Sequence, residues 1–166
     1  MSTPLAVVLP DAKAVKDMLT GLVGKPVGVT PGAPVTPTPR SPVSVAVYVD
    51  PGMAINALCV MDLGLSAWTA GALALLPPGG VQDAVEEDGE LTSMLTEALH
   101  EVVNVLSALF NVTGAPHSKL YELYGPGDDV PADIAGSLAD FNRIDLAVDV
   151  PGYGKGGLSL VIPSGA

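Results

Sequence analysis

The stretch LTEALHEVVNVLSALF, residues 95–110, carries the clearest helical pattern of the sequence and decides how the rest is interpreted. With residues placed at 100° intervals and the segment extended at both ends, one broad face is apolar: Leu91, Leu95, Leu99, Val102, Leu106 and Leu109. The opposite face carries polar side chains, namely Ser93, Glu97, His100, Glu101, Asn104 and Asn111. We therefore predict an amphipathic helix from about Leu91 to Asn111 that stops near Gly114.

Segments rich in β-branched and apolar residues on both sides of this helix predict strands. VSVAVYVD and INALCVMD are separated by a short Pro-Gly turn, which favours an antiparallel pair. RIDLAVDV alternates between apolar and polar residues, and PGYGKGG turns the chain into GLSLVIP, which indicates a terminal hairpin. The predicted strands are 43–50, 55–62, 117–124, 143–150 and 157–163.

Two further helices complete the predicted domain. Residues 11–23 form a short amphipathic pattern, and residues 63–76 form an apolar one whose alanines and terminal Pro-Pro favour a buried helix. The acidic stretch 82–89 is predicted as a turn, and 126–141 as a loop with one helical turn. The sum is a single α+β domain over residues 1–166, in which long helices pack on an antiparallel sheet.

A proline-rich segment, TPGAPVTPTPRSP at 30–42, interrupts this pattern. Proline fixes the backbone and lacks an N–H, so we predict an extended connector and not a packed element. Two interpretations stay open. The segment is a ligand for a proline-binding module, or it is a stiff loop that ties the first helix to the sheet.

The composition excludes several classes of function. Of the 166 residues, 18 are Asp or Glu and 7 are Lys or Arg, for a net charge of −11. That balance argues against nucleic acid and anionic membrane surfaces as partners. The apolar stretch 63–76 is shorter than the roughly 20 residues that span a bilayer, and the N-terminus lacks a signal peptide's basic region. Because Cys59 is the only cysteine, no internal disulfide is available, and we expect a cytoplasmic location.

Familiar chemical motifs find little support elsewhere in the chain. GYGKGG (152–157) resembles a phosphate-binding loop, but a strand follows it where such a loop needs a helix. The acidic loop lacks the spacing of a calcium site, and the two histidines lack metal-ligand spacing: Asp128, Asp129 and Asp133, and His100 and His117. No metal site of the protein's own is predicted.

Three polar residues of the long helix need separate consideration. Glu97, Glu101 and Asn104 stand at i, i+4 and i+7, so they project side by side. Periodicity alone is compatible with a solvated face as well as with a site. Asparagine is a mediocre helix former, which makes its position in the middle of a helix mildly unusual.

The order of these residues resembles the motif of the CheC/CheX/FliY family of chemotaxis phosphatases, and specifically the single-motif CheX type. The family motif is an acidic residue or serine, three residues, Glu, two residues, Asn, and a proline about two dozen positions later. Glu97, Glu101, Asn104 and Pro126 stand in those places, and the likeness in element order spans roughly residues 10–163. Glu97 replaces the more usual Asp or Ser, and bulkier residues follow Asn104 than in most of the family.

The resemblance implies a CheC-like fold and dephosphorylation of the aspartyl phosphate of a CheY-type receiver domain. In such a reaction Asn104 would orient the attacking water, Glu101 would pair with the receiver's lysine, and Glu97 together with Glu101 would contact the partner. The phosphate and Mg²⁺ would belong to the receiver, so the protein would need no cofactor of its own. The resemblance also implies that two copies pair through their sheets. The alternative is a non-catalytic protein-interaction module on the same fold.

Overall fold

The architecture is a six-stranded sheet with helices on one face and a short helix and an extended segment on the other. In this computed structural model, the structure is described for residues 7–163. The helices are α1 (Ala12–Val23), α2 (Leu63–Leu73), α3 (Pro78–Asp83), α4 (Ser93–Leu106) and α5 (Ala132–Ser137). The strands are β1 (Gly28–Pro31), β2 (Val43–Val49), β3 (Ile55–Asp62), β4 (Lys119–Tyr124), β5 (Arg143–Val150) and β6 (Gly154–Val161).

All neighbouring strands of the sheet are antiparallel, in the order β1-β5-β6-β3-β2-β4. The two predicted hairpins are present, with Val45 opposite Val60 in the first and Val150 opposite Gly154 in the second. The hairpin turn predicted for GYGKGG is therefore confirmed. The α+β class with helices on an antiparallel sheet is confirmed as well.

The main core lies between the sheet and a layer formed by α1, α2 and α4. α2 is buried on nearly all sides, which explains why its sequence is apolar without a polar stripe. The helix predicted for 63–76 is thus confirmed, although it ends at Leu73. In the part of the chain that the structure describes, no helix has both the length and the hydropathy needed to cross a membrane.

Asp62 fixes α2 against the terminal hairpin. Its two carboxylate oxygens accept hydrogen bonds from the backbone N–H groups of Leu65 and Gly157, each at 2.8 Å. The first bond caps α2, and the second connects the same side chain to β6. A Cβ at Gly156 would lie 2.6 Å from Oδ1 of Asp62 and 2.6 Å from Cβ of Leu65, so only glycine permits this approach.

The opposite face of the sheet is covered by α5 and by residues 32–42, which we call the strap. Val35 of the strap is buried in a second apolar cluster with Ile134 and Leu138 of the α5 region and with residues of β2, β3 and β6. The Val35 N–H donates to Oγ of Ser159 at 2.9 Å. The strap thus supplies part of the core on this face.

Two predictions about local structure were wrong. Residues 30–42 were expected to be unpacked, but Thr30 and Pro31 belong to β1, where an edge position tolerates proline, and Val35 is buried. The acidic stretch 82–89 was expected to be a turn. It lies instead in α3 and in a π-helical turn, Ala84–Asp88, because Pro78 starts a helix and Val81 and Ala84 are buried in the core.

Candidate functional site

The candidate site lies on α4, whose buried face fixes its position on the core. The helix begins at Ser93, two residues after the predicted start, because the hydroxyl of Thr92 accepts a hydrogen bond from the Leu95 N–H at 3.2 Å and caps it. Its apolar face packs against the core through five buried side chains, Leu95, Leu99, Val102, Val103 and Leu106. The α-helix ends at Leu106, and a 3-10 turn, Ser107–Phe110, takes its place up to the expected end of the helix.

Glu97, Glu101 and Asn104 all lie on the exposed face of α4. Among the residues that the structure describes, none forms a hydrogen bond or an ion pair with these three side chains. Neighbours at i and i+3 or i+4 on a helix stand about 5–6 Å apart at Cβ, so the three present one continuous polar surface. Their functional groups are therefore available to a partner without rearrangement of the fold.

The backbone beneath Asn104 is held in place by a buried tyrosine of the sheet. The Tyr48 hydroxyl donates to the Val103 carbonyl at 2.6 Å, and its ring lies 5.6 Å from that of Phe110. At the Asn104 carbonyl, the Ser107 hydroxyl donates at 2.7 Å, and the Ser107 N–H donates as well. Sequence patterns did not single out Tyr48. The one available signal was a large polar-tipped side chain in a strand made otherwise of Val, Ala and Ser.

Pro126 lies beside α4. It lines a groove of about 330 Å³ between α4 and the end of β4, together with Thr96 and His100 of the helix. The loop that carries Pro126 is held by Asp128, whose carboxylate accepts from the Gly125 N–H at 2.8 Å. Glu101 and Asn104 do not line this groove. The structure therefore brings Pro126 to the helix, on the side of Thr96 and His100.

The sequence around α4 is acidic, with no lysine or arginine near the helix along the chain. No lysine or arginine occurs between Arg40 and Lys119, whereas Glu86, Glu87, Asp88 and Glu90 precede α4. Within residues 7–163, no three His, Cys, Asp or Glu side chains are grouped so that they could hold a metal ion. The exposed face of α4 thus offers carboxylates and an amide, which suit a cationic or hydrogen-bonding partner surface.

Comparison with known proteins identifies the fold. No family model matches the sequence, and no curated protein matches it. A chain of the FliM–SpeE complex from H. pylori is similar with a TM-score of 0.61 and 10% identity, over 92% of this chain and 81% of that one. FliY from Thermotoga maritima has a TM-score of 0.57 and 14% identity, over 92% and 83%. A chain of the CheX–CheY–BeF3–Mg²⁺ complex from Borrelia burgdorferi has a TM-score of 0.55 and 13% identity, over 92% and 94%.

These likenesses define the class to which the architecture belongs. The fold is that of the CheC/CheX/FliY family, as the order of elements and the motif on α4 predicted. The same fold occurs in chains that form complexes with other proteins, CheY in one case and SpeE in another. At 10–14% identity these likenesses show the architecture alone.

Proposed function

We propose that this protein dephosphorylates the aspartyl phosphate of a CheY-type receiver domain, with Glu101 and Asn104 as the catalytic residues. The proposal rests on the exposure of these two side chains and on their lack of hydrogen-bond partners in the described fold. Both are exposed and have no hydrogen-bond or ion-pair partner within residues 7–163, and the backbone of their helix is anchored at Val103 and Asn104. Acting on receiver domains, the protein would work in the cytoplasm.

The reaction mainly requires that the attacking water be positioned relative to the phosphate, and side chains on an exposed helix face can do this. A water oxygen attacks phosphorus in line with the aspartyl oxygen, the P–O bond to the carboxylate breaks, and aspartate and inorganic phosphate are released. The amide of Asn104 has both an acceptor and donors, so it can hold a water O–H while it contacts a phosphate oxygen. The receiver's Mg²⁺ would neutralise charge that develops on the phosphate.

Glu101 has a separate role in this scheme. One helical turn before Asn104, its carboxylate would pair with an ammonium group of the receiver and set the docking angle, with Glu97 contacting the same surface. Docking in this orientation would then hold the water within hydrogen-bonding distance of the phosphate. The hydrogen bond from Tyr48 to the Val103 carbonyl supports this scheme, because a mobile helix end would leave the amide of Asn104 without a fixed position.

The test is the decay of acyl phosphate on receiver domains from the same genome, measured with and without the protein. We expect faster decay with the wild type and none of this acceleration with Asn104→Ala. Asn142→Ala is a matched control, because Asn142 is an exposed asparagine outside α4. Equal acceleration by the wild type and Asn104→Ala would contradict the assignment of Asn104.

A non-catalytic docking function is the second candidate. It is favoured by the FliM–SpeE complex, in which a chain of the same fold is bound to a protein other than CheY. Binding of a receiver domain without any change in its acyl-phosphate lifetime would establish this alternative.

A further inference from the structure

An apolar groove opens at the first turn of α4, at the opposite end of the helix from Asn104. It has a volume of about 160 Å³ and lies between the α3 region and the start of α4. Its lining is almost entirely apolar: Leu76, Pro77, Gly80, Val81, Thr92, Met94 and Leu95. Met94 is 58% exposed, although a side chain of this kind usually lies inside a protein. The groove has room for one large apolar side chain from outside.

Met94 belongs to the same stripe of α4 as the candidate site residues. At 100° per residue, Met94, Glu97, Glu101 and Asn104 fall within an arc of about 80°. We call these four residues and the apolar groove the docking face. A partner that covers Glu101 and Asn104 along the helix axis therefore meets Met94 and the groove two to three turns away.

The charge of the docking face restricts its occupant. Glu97 stands one turn after Met94, Glu90 stands two residues before the capping Thr92, and the chain offers no cation between Arg40 and Lys119. A partner surface that carried carboxylates here would be repelled, whereas lysine or arginine would be attracted. A few well-packed, desolvated side chains usually carry most of the binding energy of a protein interface.

We infer that the docking face takes a receiver domain whose contact surface combines one exposed apolar side chain, seated in the groove beside Met94, with basic residues opposite Glu97 and Glu101. This inference rests on the proposed function and specifies its partner. The groove provides affinity and selects among receivers, while Glu101 and Asn104 carry the chemistry.

The experiment compares Met94→Glu, Met94→Leu and Phe141→Glu with the wild type. Phe141 is 91% exposed and follows α5, which covers the other face of the sheet, so Phe141→Glu controls for an apolar-to-acidic change elsewhere. Receiver domains from the same genome are phosphorylated with a small acyl phosphate, and decay is measured against receiver concentration. Binding is measured separately, by fluorescence anisotropy, on receivers that carry beryllofluoride as a stable mimic of the acyl phosphate.

We expect Met94→Glu to raise KM and Kd about tenfold or more, with a much smaller effect on the limiting rate. Met94→Leu and Phe141→Glu should stay close to the wild type. Salt at about 1 M, where the Debye length is about 3 Å, should weaken binding by the wild type. An unchanged KM and Kd for Met94→Glu on a receiver that the wild type dephosphorylates would overturn the inference and leave the proposed function intact.

The remaining outcomes separate the two ideas. If no receiver is dephosphorylated but one binds, and Met94→Glu abolishes that binding, the proposed function is wrong and the docking face stands. If no receiver binds or is dephosphorylated, both are wrong. If in addition the wild type is a dimer that Met94→Glu converts to a monomer, the groove is occupied by a second copy of the chain.

Discussion

The hydroxyl of Tyr48, on strand β2, donates a hydrogen bond of 2.6 Å to the carbonyl of Val103, the residue before Asn104. The bond exists because α4 tightens at its end. The Ser107 N–H turns to the Asn104 carbonyl instead of the Val103 carbonyl, as in a 3-10 turn, and the released acceptor meets the tyrosine. The buried side chain of Tyr48 thus fixes the position of the last turn of α4 relative to the sheet.

Tyr48→Phe should destabilise the protein. The change removes the donor but keeps the ring and leaves the Val103 carbonyl buried without this partner, which costs about 1–3 kcal/mol of the free energy of unfolding. Urea unfolding measures the effect. Tyr121→Phe is the control, because Tyr121 is 57% exposed, and it should leave the unfolding midpoint unchanged. A loss of similar size in both variants would mean that the Tyr48 bond adds nothing specific.

Glu101→Ala and Asn104→Ala should separate stability from activity. Both side chains are exposed and form no bonds within the described fold, so each change should alter the free energy of unfolding by less than about 0.5 kcal/mol. Each should nevertheless abolish the acceleration of acyl-phosphate decay. Thermal unfolding and the decay assay on the same preparations provide the measurement, and a large fall in melting temperature would show that these residues have a structural role.

Asp62→Ala should cost more than Asp11→Ala, although both aspartates cap a helix. Asp11 accepts from the Ala14 N–H at 2.8 Å and is an ordinary cap of α1, for which we expect a loss of about 0.5–2 kcal/mol. Asp62 accepts from Leu65 and also from Gly157, so its removal additionally loosens the terminal hairpin, by about 1 kcal/mol more. Equal losses in urea unfolding would show that the bond to Gly157 contributes little.

Alkaline pH should destabilise the fold through Cys59. Burial raises the pKa of the Cys59 thiol from 9.0 to about 12. The unfolded state therefore loses the proton first, and this contribution to stability, complete below pH 9.0, declines as pH rises from there to about 12. Its slope is at most about 1.4 kcal/mol per pH unit.

The matched variant for this effect is Cys59→Ala, measured by urea unfolding between about pH 8 and pH 11. Its free energy of unfolding should fall less steeply with pH than that of the wild type. Burial also raises the pKa of Tyr48, so part of the decline should persist in the variant. Identical slopes would mean that the thiol does not titrate differently in the two states.

The elements that the sequence predicted best are those with a repeating pattern. The alternation in β5 and the heptad-like leucines of α4 each bury one face, so the pattern determines the element directly. The strap was misjudged because prolines report on backbone conformation and not on burial. A single Val35 among polar and proline residues carries too little periodicity to reveal that it fills the second core.

The candidate site likewise has features that the sequence pattern predicted and features that it did not. The positions of Glu97, Glu101 and Asn104 on one exposed face follow from helix geometry and were predicted from the sequence. The hydrogen bond of Tyr48 joins residues 48 and 103, and the groove beside Met94 is lined by residues of two different helical segments, 76–81 and 92–95. No local pattern encodes such distances, so these features required the folded chain.

The strap has a consequence for how two molecules can associate. It leaves β1 at one edge of the sheet and enters β2, so it crosses the positions of β5, β6 and β3 on the way. Exchange of β1 between two copies would first require Val35 to leave its cluster and to give up its bond to Ser159. The crossover therefore disfavours domain swapping through β1.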